Sequence, residues 1–286
     1  MTDITRAIAA ATSVAASLDL PAGDAIVLHN SNRVALRLTP CDVLARVAPA
    51  GHEAAQFEVE LAVRLARAGC PTGLLEPRVE PRVYTRDGFT VTLWTYYEPV
   101  TPHTSPADYA KALEQLHAGM REVDVPGQRF TDRIAEAEEV VAHPALSPEL
   151  AGADRAFLSG RLGSLRRAIE DRGAVEQLLH GEPHPGNVLA TMNGPLFIDL
   201  ETCCRGPVEF DLAHVAEAVC AHYPNVDQGL LGECRQLVLA MVAAWRWKRG
   251  DQLPNGSRFG EELLRALREG PPWPTLDTVA RRLDGG

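Results

Sequence analysis

Residues 180–201 hold six side chains able to do chemistry: His180, Glu182, His184, Asn187, Asp199 and Glu201. They surround two short apolar runs, 187–191 and 195–199, which read as a small hairpin turning at Met192-Asn193-Gly194. A hard divalent ion such as Mg²⁺ takes oxygen ligands and leaves positions open for substrate phosphates, and Asn187 with Asp199 supplies two such oxygens across one hairpin. Glu182, just before Asn187 in the same loop, can sit beside that ion without ligating it and accept or orient the proton of an attacking hydroxyl. Any one of these residues alone is ordinary, because an Asp or Asn in a turn usually caps its own backbone. It is the joint spacing, HGE-x-x-x-x-N followed by a hairpin and FID, that carries the reading. His184 is expected to pack within the loop.

The rest of the chain must hold this segment in place. The first residues, MTDITRAIAAATSVAASL, read as an amphipathic helix and lack the basic start and apolar run of a secretion signal. From Ala25 to Val47 three β-rich runs, broken by His-Asn-Ser-Asn and Thr-Pro-Cys-Asp, read as an antiparallel meander. Apolar residues at helical spacing follow through Ala54, Phe57, Leu61 and Leu65, with Gly69 as the stop. Two further strands turn at Asp87-Gly88 and end at Pro99, completing a five-stranded sheet with one crossing helix. Beyond Pro99 the pattern is mainly helical: Ser105-Pro106 caps one helix, and others are expected over 130–142, 148–171 and 174–179. Helical patterns resume from Asp211 through WRWK and from Arg258 to Arg268, with a Pro-rich break at 271–274 before a short closing helix.

HGEPHPGN followed by FIDLE resembles the catalytic loop and metal motif of the aminoglycoside phosphotransferases and related small-molecule kinases, H-G-D-x-x-x-x-N and I-D. The resemblance spans roughly residues 20–225. It implies an α+β, bilobal, protein-kinase-like fold, with a nucleotide-binding lobe over 1–98 and a catalytic and substrate-binding lobe over 99–286. By position, Glu182 becomes the residue that positions the acceptor hydroxyl, Asn187 and Asp199 the Mg²⁺ ligands, and Asp211 the support of the catalytic-loop backbone. His180 would hold the metal-bearing strand. Ser31 and Asn32, followed by Arg33 and Val34, look like the phosphate-covering turn. Arg46 stands where a lysine usually meets the nucleotide phosphates, with Glu58 as its ion-pair partner, and the nucleotide base is expected near Tyr96 to Glu98. ATP or GTP is the implied co-substrate.

Two positions depart from the family pattern. Glu182 replaces an aspartate and moves the carboxylate by one methylene, and Arg46 presents a planar fork where lysine presents a point charge. Three readings follow: a phosphotransferase acting on an antibiotic or similar cationic hydroxylated compound; a kinase for a sugar, amino alcohol or amino acid derivative; and a pseudokinase that binds nucleotide without transfer. Trp245 and Trp247, two residues apart on one helix, must point to different faces, so both cannot line an acceptor pocket.

Composition narrows the partners. A formal charge of −10 opposes a nucleic-acid backbone and is compatible with a cationic small molecule as well as with plain solubility. The six cysteines show no C-x-x-C pair or zinc spacing, read as small buried hydrophobes and fit a reducing cytoplasm. No apolar run is long enough to span a membrane. No dimer element is recognisable.

Overall fold

A computed structural model describes residues 3–30, 33–51, 54–100 and 104–284. The chain forms two compact units, one of residues 1–104 with 188–201, the other of residues 105–187 with 202–286.

In the first unit, β1 (Ala22–Asn30), β2 (Val34–Pro40), β3 (Val43–Pro49), β4 (Tyr84–Arg86) and β5 (Phe89–Thr95) make one sheet of order β1-β2-β3-β5-β4, antiparallel throughout. Strand side chains alternate between faces, so Leu36, Leu38, Val43, Ala45 and Val47 share one face while Arg46 is turned to the other. The apolar face is covered by α1 (Asp3–Ser17) through Ala7, Ala10, Ala11, Val14 and Ala15, a stripe at helical spacing. The small alanine side chains let the helix lie close to the sheet. On α2 (Ala54–Arg67) the buried side chains are Ala55, Val59, Leu61, Ala62 and Leu65, with one carboxylate among them, Glu58.

The hairpin β7 (Val188–Thr191) and β8 (Gly194–Phe197) belongs to this first unit. Segment 71–75 ties it there: Phe197 N donates to Pro71 O (2.8 Å) and Gly73 N to Phe197 O (2.9 Å), while Thr95 N donates to Leu74 O (2.9 Å). Val100 N also donates to Ala190 O (3.0 Å). The residues after Phe197, including Asp199, are thereby fixed against the main sheet's own connections.

The second unit is helical. It contains α3 (Pro106–Arg121), α4 (Phe130–Ala142), α5 (Gly152–Asp171), α6 (Val208–Leu212), α7 (Glu217–Cys220), α8 (Gln228–Arg246), α9 (Gly256–Glu269) and α10 (Leu276–Asp284). Ser105 caps α3 as expected, accepting from Asp108 N at 3.1 Å, with Pro106 in the first turn. The core is built on Phe130, Ile134, Leu158, Leu162 and Phe210, all at most 1% exposed.

The helix expected over 174–179 is not there. Gly173 ends α5 with φ +59, and Gln177–Leu179 form a strand, β6, paired antiparallel with β9 (Cys204–Gly206). Three buried residues are too few to show a period, and their pairing partner lies beyond the hairpin, so local pattern could not find it. α5 begins at Gly152 instead of 148. All six cysteines are buried and unbridged.

The α1–sheet contact gives a test. Ala11 is fully buried and Ala9 is exposed on the same helix. Ala11→Leu should destabilise the protein by about 1–3 kcal/mol through overpacking. Ala9→Leu should change stability by less than about 0.5 kcal/mol in the same denaturant titration.

Candidate functional site

In each unit residues expected at a site fall within a cluster of charged groups. In the first, Glu58 is fully buried on α2, and its two oxygens are divided between two guanidiniums. Arg46 Nη1, from the middle of β3, donates to Oε1, and Arg33 Nη1, at the entrance to β2, donates to Oε2 at 2.6 Å. Leu200 N also donates to Glu58 Oε1 (3.2 Å). Arg46 Nη2 reaches Asp199 Oδ1 at 2.6 Å and Arg33 Nη2 reaches the same oxygen at 3.3 Å. Arg33 Nη2 further pairs with Glu201. Arg46, Glu58 and Asp199 are therefore brought together as one network, with Arg33 and Glu201 added.

Burial works against ionising Asp199, but the guanidiniums of Arg46 and Arg33 hold its carboxyl below the usual carboxylate range. Burial likewise disfavours the Arg46 cation, and Glu58 and Asp199 override it, raising its pKa. Asp199 adopts φ +67, the left-handed region that Asp tolerates better than most residues. A backbone held in that region turns the carboxylate back toward the arginines.

Tyr96 and Glu98 form a second group in this unit. Arg37 lies over the Tyr96 ring at 4.2 Å and donates to Glu98 Oε2 at 3.3 Å, while Tyr96 Oη donates to the same oxygen at 3.2 Å. Ser31 and Asn32 lie outside the described residues.

In the second unit the backbone of the 180–187 loop hangs on Asp211, which is fully buried. Its Oδ2 accepts from His180 N (2.9 Å) and its Oδ1 from Gly181 N (2.8 Å). Gly181 has φ +88, and a Cβ there would meet Thr202 O at 2.0 Å, so only glycine fits. His117 Nε2 lies 2.9 Å from Asp211 Oδ2, and its Nδ1 lies 2.8 Å from Tyr223 Oη. Burial opposes ionising Asp211, and His117, followed by His180 and His214, keeps its pKa low. The loop then folds on itself: Asn187 Nδ2 donates to Glu182 O (3.0 Å), and Gly186 N donates to His184 Nδ1 (3.1 Å). Asn187 is thereby oriented with Oδ1 as its remaining oxygen donor.

The Glu182 carboxylate is paired with Arg133 of α4, whose Nη1 donates to Thr202 O at 3.3 Å and whose guanidinium lies 5.4 Å from the Trp245 ring centre. Burial pushes the Glu182 pKa up, but the Arg133 guanidinium outweighs it and holds the carboxyl below the usual carboxylate range. Trp247 faces elsewhere, against Gly260 of α9. His214 is buried with neither ring nitrogen hydrogen-bonded, and burial lowers its pKa from 6.5 to about 4.

Arg33, Arg133, Glu201 and His117 are the participants that sequence reasoning did not assign a role. Arg33 was visible only as part of a turn, and Arg133 lies on a helix with no motif of its own. Among the described residues no group of three or more His, Cys, Asp or Glu is arranged to hold a metal alone. Oxygen donors of the kind a hard ion takes are, in the first unit, Asp199, ionised and already drawing two cationic groups, and, in the second unit, the Asn187 amide oxygen.

The chain belongs to the Phosphotransferase enzyme family, whose model matches residues 25–247. A comparison with curated proteins gives no match. Among solved structures, the chain is similar to an amicoumacin kinase, hAmiN, in complex with AMP-PNP, Ca²⁺ and Ami (10% identity, TM-score 0.71, covering 96% of this chain and 98% of that one). It is similar to the choline kinase LicA from Streptococcus pneumoniae (16% identity, TM-score 0.70, covering 94% and 100%). A third is the GDP and kanamycin complex of APH(2")-IIia (16% identity, TM-score 0.69, covering 90% and 98%). The α+β, protein-kinase-like fold expected from the catalytic-loop motif is the fold these structures share with the chain. No helix among the described residues is long and apolar enough to cross a membrane.

Two outcomes follow. Glu58→Ala leaves two guanidiniums without their shared buried carboxylate and should cost about 3–5 kcal/mol in a denaturant titration. His214 stays neutral in the fold where the unfolded chain would protonate it, so its contribution is complete above pH 6.5 and is lost as pH falls toward about 4. A His214→Leu variant should show a shallower loss of stability across that window, by about 3 kcal/mol.

Proposed function

We propose that this protein transfers the γ-phosphoryl group of ATP or GTP to a hydroxyl of a small molecule. The observation that carries the reading is the 180–187 loop. Its backbone is fixed by Asp211, its glutamate is ionised and its asparagine is held by an internal hydrogen bond, the preorganisation that phosphoryl transfer requires.

In this reading Glu182 accepts the hydrogen bond of the acceptor hydroxyl and aims its oxygen in line with the γ-phosphorus. Its low proton affinity suits orientation more than full proton removal, in keeping with a loose transition state in which little basicity is needed. Arg133 fixes the longer glutamate side chain from the far side, which offsets the added methylene relative to aspartate. Asn187 and Asp199 would hold Mg²⁺, which when bound supplies charge neutralisation at the nucleotide phosphates. Arg46, oriented by Glu58, contacts the phosphates from the sheet side, Ser31 and Asn32 cover them, and Tyr96 to Glu98 line the base. Residues 1–98 serve the nucleotide and 99–286 the acceptor. The acceptor is a hydroxylated small molecule, foremost an antibiotic of aminoglycoside type, with a sugar or amino alcohol as the metabolic alternative. The −10 charge favours a cationic compound, and six cysteines without disulfide or zinc spacing fit a reducing cytoplasm.

A second reading has an observation of its own. Glu182 is engaged by Arg133 and Asp199 by two arginines, as in a protein that binds nucleotide without transferring phosphate.

The test is incubation with Mg²⁺, ATP or GTP and a panel of aminoglycosides, peptide antibiotics, macrolides and simple alcohols, following nucleoside diphosphate release and product mass. One compound should gain one phosphoryl mass. Glu182→Ala should lower that rate about 10²–10⁴-fold, and Asp199→Asn, which keeps the backbone conformation and removes the charge, should abolish it. Nucleotide binding with no transfer to any compound would establish the second reading instead.

A further inference from the structure

We propose that Arg33 is an exchangeable internal cation: it neutralises the carboxylate cluster while the nucleotide is absent, and it passes to the nucleotide's phosphates when metal and nucleotide arrive together. The inference rests on the nucleotide-binding reading above.

The geometry sets the two arginines apart. Arg46 lies inside β3, with β2 on one side and β5 on the other, so its backbone is fixed by the sheet. Arg33 precedes the first residue of β2 and is held through its side chain, by Nη1 on Glu58 Oε2 (2.6 Å) and Nη2 on Asp199 and Glu201. Its guanidinium is 9% exposed, and it fills the position beside Asp199 that a metal ion bound by that carboxylate would compete for.

Charge accounting explains why the exchange must be paired. Three carboxylates, Glu58, Asp199 and Glu201, face two guanidiniums. A divalent cation entering alone would meet both guanidiniums at Asp199, and a polyphosphate entering alone would meet Asp199 and Glu201. When both enter, the cation takes the place of Arg33 Nη2 at Asp199, and Arg33, pivoting on its Nη1 bond to Glu58, gives Nη2 to a phosphate oxygen. Asp199 and Glu58 each keep a cationic partner throughout that exchange, and Glu201, the carboxylate that Arg33 gives up, is partly exposed and can be met by solvent. Metal and nucleotide therefore each bind weakly alone and tightly together, a coupling that is reciprocal by thermodynamic necessity. The guanidinium fork is what permits one end to stay while the other moves, and a lysine cannot do both.

The experiment measures two affinities on the full chain: Mn²⁺ without nucleotide, by electron paramagnetic resonance, and Mn²⁺-ADP and Mn²⁺-GDP, by calorimetry. Wild type is compared with Arg33→Ala and Arg33→Lys. The expected result is divergence. In Arg33→Ala, Mn²⁺ alone binds about tenfold more tightly and the metal-nucleotide about tenfold more weakly, as one charged hydrogen bond is worth that much; Arg33→Lys changes both in the same directions by less. Should Arg33→Ala fail to fold, Arg33→Lys is judged by the same divergence. Unchanged Mn²⁺ affinity, or two affinities that move together, overturns the proposal and leaves Arg33 a structural brace. If wild type binds neither nucleotide, the nucleotide-binding reading itself falls, an outcome distinct from failure of the arginine exchange.

Discussion

Glu58 is the constraint on which the first unit's chemistry rests. A carboxylate with no exposure to solvent is tolerable only if every lone pair facing the interior has a donor, and here the donors are two guanidiniums and one backbone amide. Those three donors come from β3, from the entrance to β2 and from the residue after Asp199. Satisfying one buried group thus fixes the sheet, the helix and the hairpin exit at a common point. The period of two along β3 puts Arg46 on the face opposite α1, and the helical position of Glu58 on α2 supplies the partner.

Asp211 has the same logic in the second unit. It is buried, its two oxygens are used by backbone amides of the loop and by an imidazole, and the glycine beside it leaves no room for a side chain. The resulting loop is pinned at His180 and Gly181, where it meets Asp211, and carries Glu182 and Asn187 beyond that point. Glu182 is paired with Arg133 of α4, so the loop's glutamate is positioned by packing in α4 as much as by the motif itself.

Much of this was legible in the sequence, for identifiable reasons. The five-stranded sheet follows from alternating runs punctuated by turn residues such as Asp87-Gly88, and α2 and α3 follow from their period and the Ser105-Pro106 cap. The Arg46–Glu58 pair and the Asp211 contact with the loop were reachable because family resemblance orders the elements. Strand β6 was read as helix because its identity is set by pairing with β9, a non-local interaction that three residues cannot announce. Arg133 was out of reach for a related reason, and Arg33 and Glu201 were noticed without the pairing that gives them their place. A surface arginine and a buried, paired one have the same letter, and what distinguishes them is which carboxylate the fold delivers within a few ångströms.

The backbone of Asp199 filters what mutation can do at the position. At φ +67 the residues that sit without added strain are Asp, Asn and Gly, so most replacements would disturb the chain before they touched its electrostatics. Of the residues that fit, asparagine is the one that keeps the side-chain shape while removing the charge, and it is one nucleotide away from aspartate in the genetic code. A single base change at codon 199 is therefore enough to remove the charge that two arginines share while leaving the backbone conformation available.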